Sequence, residues 1–156
     1  MSVSADGAVT QVVPFISKYS FSTFVSPVNT DKKGVATAST NLTGTVPVKT
    51  SALLANGTRM DDATAAALVA AGRLQIRWRL STLTSGNWTS RTDLTRYDAT
   101  QHFFQSDLKP STLGMAVGKS YTVMVRILPV TVPTPPPADL DSFDLGSKTL
   151  TISITK

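Results

Sequence analysis

The sequence predicts an all-β protein, a single antiparallel β-sandwich carrying one short α-helix near residues 61–71. Three observations predict it. Apolar and polar residues alternate with period two in several runs, the pattern of strands with one buried face. Ser and Thr make up about a quarter of the 156 residues and Glu is absent; Glu favours helices, whereas Asp, Ser and Thr bond to nearby backbone and favour caps and turns. The chain also has the length of one domain, is 41% hydrophobic, and has no cysteine, so a single core must hold it without disulfides.

Taken in order, residues 1–9 read as a polar N-terminal arm and residues 10–156 as one sandwich domain. Strands are expected at Val9–Ile16, Tyr19–Val25, Gly34–Leu42 and Thr45–Lys49. Asp61-Asp-Ala-Thr-Ala-Ala-Ala-Leu-Val-Ala-Ala-Gly72 opens with acidic capping residues and closes on a stop glycine, so it reads as a helix. It is too short to stand alone and needs tertiary packing. Leu74-Gln-Ile76-Arg-Trp78-Arg-Leu80 is a strand with Ile76 and Trp78 inward and Arg77 and Arg79 outward. Trp88–Arg91 and Thr100–Gln105 are shorter strands. Tyr121-Thr-Val123-Met-Val125-Arg-Ile127 is expected to be central because Met124 makes its second face partly apolar, and Leu150–Thr155 alternates to the end of the chain. Between these two, Pro133-Thr-Pro-Pro-Pro137 lacks donors and prefers extended geometry, so 129–146 reads as a stiff proline-rich loop.

Residues 74–130 resemble the middle of a fibronectin type III or related immunoglobulin-like sandwich. Leu74–Leu80 resembles its third strand, and Ser85-Gly-Asn-Trp88 the turn that follows. Asp107-Leu-Lys-Pro110 with Gly118-Lys-Ser-Tyr-Thr-Val-Met-Val-Arg126 resembles the family's corner and penultimate strand. The resemblance implies that Tyr121 is the corner tyrosine and that Leu150–Ile154 lies in the last strand. It transfers no function. The architecture expected is therefore immunoglobulin-like or jelly-roll.

The same composition argues against catalysis. Without Glu or Cys, and with His102 as the one imidazole, the usual proton-transfer and nucleophile chemistry has little to draw on. His102 lies in a strand-like run with no nucleophile elbow, so a structural or exposed role is expected. Asp139, Asp141 and Asp144 lack the spacing of a calcium loop and read as solvated. No cofactor, metal or small-molecule substrate is expected. No run approaches the ~20 apolar residues of a membrane-spanning helix, so no membrane partner is expected. The segment Met1-Ser-Val-Ser-Ala-Asp-Gly shows neither a basic start nor an apolar run, so no secretion signal is read there.

The net charge of +5 raises nucleic acid as a partner. Arg77 and Arg79 share a strand face, with Arg91 and Arg96 near in sequence, and an exposed Trp88 would add a stacking platform. The competing expectation places Trp78 and Trp88 in the core and pairs the arginines with Asp93 and Asp98. The leading functional expectation is a non-enzymatic structural subunit of a larger assembly: a virus or phage virion protein (capsid, decoration or tail). Its partners would be copies of itself and viral nucleic acid, and its location the virion or the cytoplasm of the producing cell. Expected assembly contacts are Met1, Ser2, Val3 and Ser4 in the arm and Pro135, Pro136 and Pro137 in the loop. A second expectation is a ligand-binding or adhesion module using the 129–146 loop, and a third is a nucleic-acid-binding protein using the arginine face.

Overall fold

The computed structural model describes residues 19–129 and 146–156. In chain order the described residues form β1 (Ser20–Phe21), β2 (Asn29–Thr30), β3 (Ala36–Asn41), β4 (Val46–Thr50), β5 (Ala52–Leu53), α1 (Asp62–Ala70), β6 (Leu74–Leu80), β7 (Thr89–Arg91), β8 (Thr95–Asp98), β9 (Phe103–Leu108), a 3₁₀ turn (Pro110–Leu113), β10 (Ser120–Ile127) and β11 (Gly146–Thr155). The protein is all-β with one short helix, as its alternation requires. The arm, the strand expected at Val9–Ile16, nearly all of the proline-rich loop, and Met1, Ser2, Val3, Ser4, Pro135, Pro136 and Pro137 lie outside the described residues.

Two sheets face each other across the core. One has six strands in the order β2-β3-β11-β10-β6-β7 and the other three in the order β4-β9-β8; a small β1-β5 pair extends the second layer. Ile76, Trp78, Val123, Val125, Ile127, Leu150, Ile152 and Ile154 of the large sheet and Val46, Val48, Phe104 and Leu108 of the small one are buried in a single cluster. Alternation produces this directly. In β10 every second residue from Tyr121 to Ile127 is buried, and its neighbours in register, Ile152 and Leu80 beside Tyr121 and Leu150 and Trp78 beside Val123, turn to the same side. The expectation that β10 is central holds, since β11 and β6 flank it.

The order β7-β6-β10-β11 against β4-β9-β8 is the C′–C–F–G against B–E–D arrangement of an immunoglobulin-like sandwich, the first of the two architectures expected. Tyr121 takes the corner position: its hydroxyl accepts a hydrogen bond from the Ala116 N–H at 2.9 Å, five residues upstream. One pair departs from the antiparallel expectation. β3 runs parallel to β11, with Thr37 beside Thr151 and Thr40 beside Ile154. Residues 20–25 first line the small-sheet layer, where Phe21 meets Ala52 and Val25 meets Lys49. The chain then crosses over, and the β2–β3 hairpin delivers β3 in the direction of β11. Parallel neighbours need a long connection, and these two strands stand at opposite ends of the sequence.

Local chemistry moves several expected boundaries. Asp98 accepts from the Thr100 and Gln101 N–H groups, both at 3.0 Å, and His102 has φ of +60°, so 99–102 is a turn and β9 begins only at Phe103. Gly34, at φ +81°, closes a turn with Asp31, which removes Gly34 and Val35 from β3. The expected strand at Tyr19–Val25 shrinks to β1 plus a single bridge at Val25. The helix is as its caps dictate. Asp61 accepts from the Thr64 N–H at 2.9 Å and the Thr64 hydroxyl at 2.7 Å. At the other end Arg73 N–H bonds to Leu68 C=O past Gly72 at φ +63°. Its buried Ala65 and Leu68 join the core, and the helix lies against β8.

Candidate contact surface

The outer face of the six-stranded sheet is where the expected arginines must be located. Register places Gln75, Arg77 and Arg79 of β6 beside Arg126, Met124 and Thr122 of β10, and these beside Ser147, Thr149 and Thr151 of β11. Thr37 and Ser39 of β3 continue the rows. The face is thus built from short hydroxyl side chains with a strip of arginines at one side.

Trp88 sits over that strip. The loop 81–88 returns the chain beside β6, so that Trp88 follows on from the Trp78–Thr89 pair and lies level with Arg79. The guanidinium carbons of Arg77 and Arg79 lie 4.3 and 4.4 Å from its ring centroid, both within cation–π range. Arg77 points outward as the alternation requires, but it is 3% exposed. Trp88 covers it, and Arg77 Nε donates to the Met124 sulfur at 3.2 Å. Arg79 donates to Thr84 C=O at 3.0 Å, tying down the loop that carries Trp88. Arg126 donates to Gln75 Oε1 at 2.7 Å. Trp78 is a core residue, 5% exposed, with its indole N–H donating to Leu113 C=O.

The four arginines expected to share one face do not. Arg77 and Arg79 come together under Trp88. Arg91 lies on β7 at the sheet edge and forms a two-pronged ion pair with Asp93. Arg96 lies on β8, in the other sheet, and pairs with Asp107 at 2.5 Å. The expected partnership with Asp93 is therefore real, whereas Asp98 is occupied in its own turn. Neither competing expectation for Trp88 is complete: the ring is half-buried, stacked on arginine rather than in the core or free as a platform. A strand-face argument could place Arg77 outward, but only the return of a loop eleven residues later could bury it.

A second cluster surrounds Asp62, the first residue of α1. Its Oδ1 accepts from Tyr97 OH at 2.5 Å and from Arg59 at 3.2 Å, and lies 2.9 Å from His102 Nδ1. Those hydrogen bonds, Tyr97's first, hold the Asp62 carboxyl below its ordinary value of 3.8. Tyr97 is pushed up to about 12, chiefly by burial and then by its bond to Asp62. The His102 carbonyl accepts from the Ser51 hydroxyl at 2.8 Å. The arrangement ties the helix start to the β8–β9 turn and to the end of β4. Sequence reasoning assigned His102 a structural or exposed role but gave no sign of Asp62 as its partner, forty residues away.

Among the described residues no group of three or more His, Cys, Asp or Glu side chains stands together to hold a metal, and no helix is long and apolar enough to cross a membrane. No known family, no curated protein and no solved structure matches this chain.

Proposed function

We propose that this protein is a non-enzymatic structural subunit that associates with copies of itself in a larger assembly, of the kind that builds a virus or phage particle as capsid, decoration or tail. The observation that carries this reading is the outer face of the six-stranded sheet, which presents rows of Thr and Ser beside Trp88 held rigidly on Arg77 and Arg79. Trp and Arg are the residue types that dominate interface hot spots, and a side chain already immobilised loses little entropy on contact. The one imidazole is engaged in bracing α1, which supports a contact role over a chemical one.

The same observations favour protein contact over nucleic acid. Of the four arginines that would meet phosphate, Arg91 and Arg96 are paired with carboxylates and Arg77 lies under Trp88. The adhesion reading would use the 129–146 loop, which lies outside the described residues.

Light scattering coupled to size-exclusion chromatography, run on the whole protein over a range of concentrations, tests the proposal. A mass above that of one chain that falls on dilution, and falls further in Trp88→Ala, is the expected result. A single-chain mass at every concentration would overturn the reading. Binding of a single-stranded oligonucleotide that weakens steeply with salt would favour nucleic acid instead.

A further inference from the structure

Of the four asparagines, Asn29, Asn41, Asn56 and Asn87, Asn56 alone precedes a glycine. An asparagine side chain holds an electrophilic carbonyl carbon within ring-closing reach of the nitrogen of the next residue. A glycine there leaves that nitrogen unshielded, because it has no Cβ. Asn56 is exposed in the turn that follows β5. Leu54 N–H donates to Thr58 C=O at 2.8 Å and Gly57 N–H to Leu54 C=O at 2.9 Å. Beyond the turn Arg59 bridges back to Leu53, and the N–H of buried Met60 donates to Ala52 C=O.

The turn folds the Asn56 side chain back along its own backbone. Its Oδ1 accepts from the Thr58 N–H at 3.0 Å and from the Thr58 hydroxyl at 2.7 Å. The ring closed by the first of these bonds contains the Gly57 nitrogen, so the amide carbon is kept beside that nitrogen rather than swung out to solvent. Two donors on one carbonyl oxygen also stabilise the negative charge that gathers there during attack. A Cβ on Gly57 would meet nothing within 4 Å, so no neighbour obstructs the closing ring. Against this stands the Gly57 N–H bond to Leu54, a single neutral bond at an exposed turn, which slows attack by about tenfold at most. The other asparagines lack part of the arrangement. Asn41 Oδ1 also has two donors, Gly44 N–H at 2.6 Å and the Thr43 hydroxyl at 3.2 Å, but its next nitrogen belongs to Leu42, whose branched side chain shields it. Asn87 precedes Trp88, which is stacked on arginine, and Asn29 is paired in β2.

We propose that Asn56 is a site of spontaneous covalent modification in the folded protein, converting to aspartate and isoaspartate with water as the co-reactant. The Gly57 nitrogen gives up its proton and bonds to Asn56 Cγ. The Cγ–Nδ2 bond breaks, and Nδ2 takes up that proton and leaves as ammonia, which leaves a cyclic imide. Water then opens the imide at either carbonyl. Breaking the bond from Gly57 N to Cγ gives aspartate. Breaking the bond from Gly57 N to the Asn56 main-chain carbonyl gives isoaspartate, whose main chain runs through Cβ and Cγ. Either product adds a negative charge, and isoaspartate also lengthens the main chain inside the turn. The turn sets the position of Arg59, whose guanidinium donates to Asp62 Oδ1 at 3.2 Å. The modification therefore loosens the Arg59 contact within the cluster that ties α1 to the β8–β9 turn. This chemistry goes beyond the contact role proposed above and stands without it.

The test incubates the full-length protein for weeks at mildly alkaline pH in heavy-oxygen water and maps digested samples by mass spectrometry. The expected result is conversion at Asn56 with heavy oxygen incorporated, isoaspartate beside aspartate, and Asn29, Asn41 and Asn87 unchanged. Thr58→Val keeps the backbone donor and removes the exposed hydroxyl. It should slow conversion about two- to tenfold, the factor that one neutral hydrogen bond supplies, and Thr58→Ser should restore the rate. Trp88→Ala, which weakens the fold on the large sheet, should leave the rate as it is. Asn56 persisting like the other three, aspartate formed without isoaspartate, or a rate that Thr58→Val leaves unchanged or raises would each overturn the proposal. A rate that climbs in Trp88→Ala would do so too, because the reaction would then belong to the unfolded chain.

Discussion

Replacing Trp88 with alanine tests whether the arginine strip is a built surface or a chance stacking. In the folded protein the ring holds two guanidinium groups, at 4.3 and 4.4 Å. The contact with Arg77 is desolvated, since that residue is 3% exposed, and a desolvated cation–π pair contributes about 2 kcal/mol; the half-buried Arg79 adds about 0.5–1. Part of the apolar packing of a half-buried Trp is lost as well, so Trp88→Ala is expected to cost about 3 kcal/mol. With a urea dependence of roughly 2 kcal/mol per molar for a small domain, the unfolding midpoint should fall by about 1.5 M at unchanged slope. Arg79→Met should cost about 1 kcal/mol alone, and the double variant should cost less than the sum, because both remove the same contact. A loss below about 0.5 kcal/mol for Trp88→Ala, the range of an ordinary surface change, would refute the reasoning.

Three further outcomes follow from the fold. Tyr121→Phe removes the acceptor for the Ala116 N–H and should cost about 1 kcal/mol, read as a melting temperature lower by about 2–4 °C; an unchanged melting temperature would deny the corner its role. Gly146→Ala forces a methyl group against the Tyr19 carbonyl and should destabilise by about 1–3 kcal/mol in urea unfolding, while an added methyl at Gly34, which meets nothing within 4 Å, clashes with no neighbour and is strained only by its positive φ. The Asp62–Tyr97 bond should shape both ends of the pH profile. Asp62 is depressed below 3.8, so its contribution is present above that pH and is lost as pH falls through the lower folded value. Tyr97 is raised from 10.0 to about 12, so its contribution is intact below pH 10.0 and is lost as pH climbs toward 12. Urea unfolding across pH should show Tyr97→Phe abolishing the alkaline limb and flattening the acid one, and Asp62→Asn abolishing the acid limb while only partly flattening the alkaline one, since burial is the first cause of the Tyr97 shift; unchanged limbs would mean the bond does not couple to folding.

The long strands were legible because their signal is local. In β6, β10 and β11 one face is buried along most of the strand, so alternation marks them and their sidedness directly. α1 was legible from Asp61 and Gly72 for the same reason, since caps act within a turn. Short elements escaped: β5 and β8 carry two and four residues, too few for a period to register. The resemblance to an immunoglobulin-like sandwich placed Tyr121 at the corner, which alternation alone could not do. Of the candidate site, the outward direction of Arg77 and Arg79 could be read from β6. Their burial under Trp88 could not, nor could the dispersal of Arg91 and Arg96 to a sheet edge and to the opposite sheet.

By itself, then, the sequence determined the long strands β6, β10 and β11, which side of each faces the core, and where the helix starts and stops. These follow from interactions among residues a few positions apart, repeated with the backbone's own period. The tertiary structure alone decided what those segments meet. It set β3 parallel to β11 across more than a hundred residues, brought His102 and Tyr97 to Asp62, and closed Trp88 over two arginines. Each is a pairing between distant positions, selected by how much apolar surface the whole chain buries at once, and no local pattern encodes it.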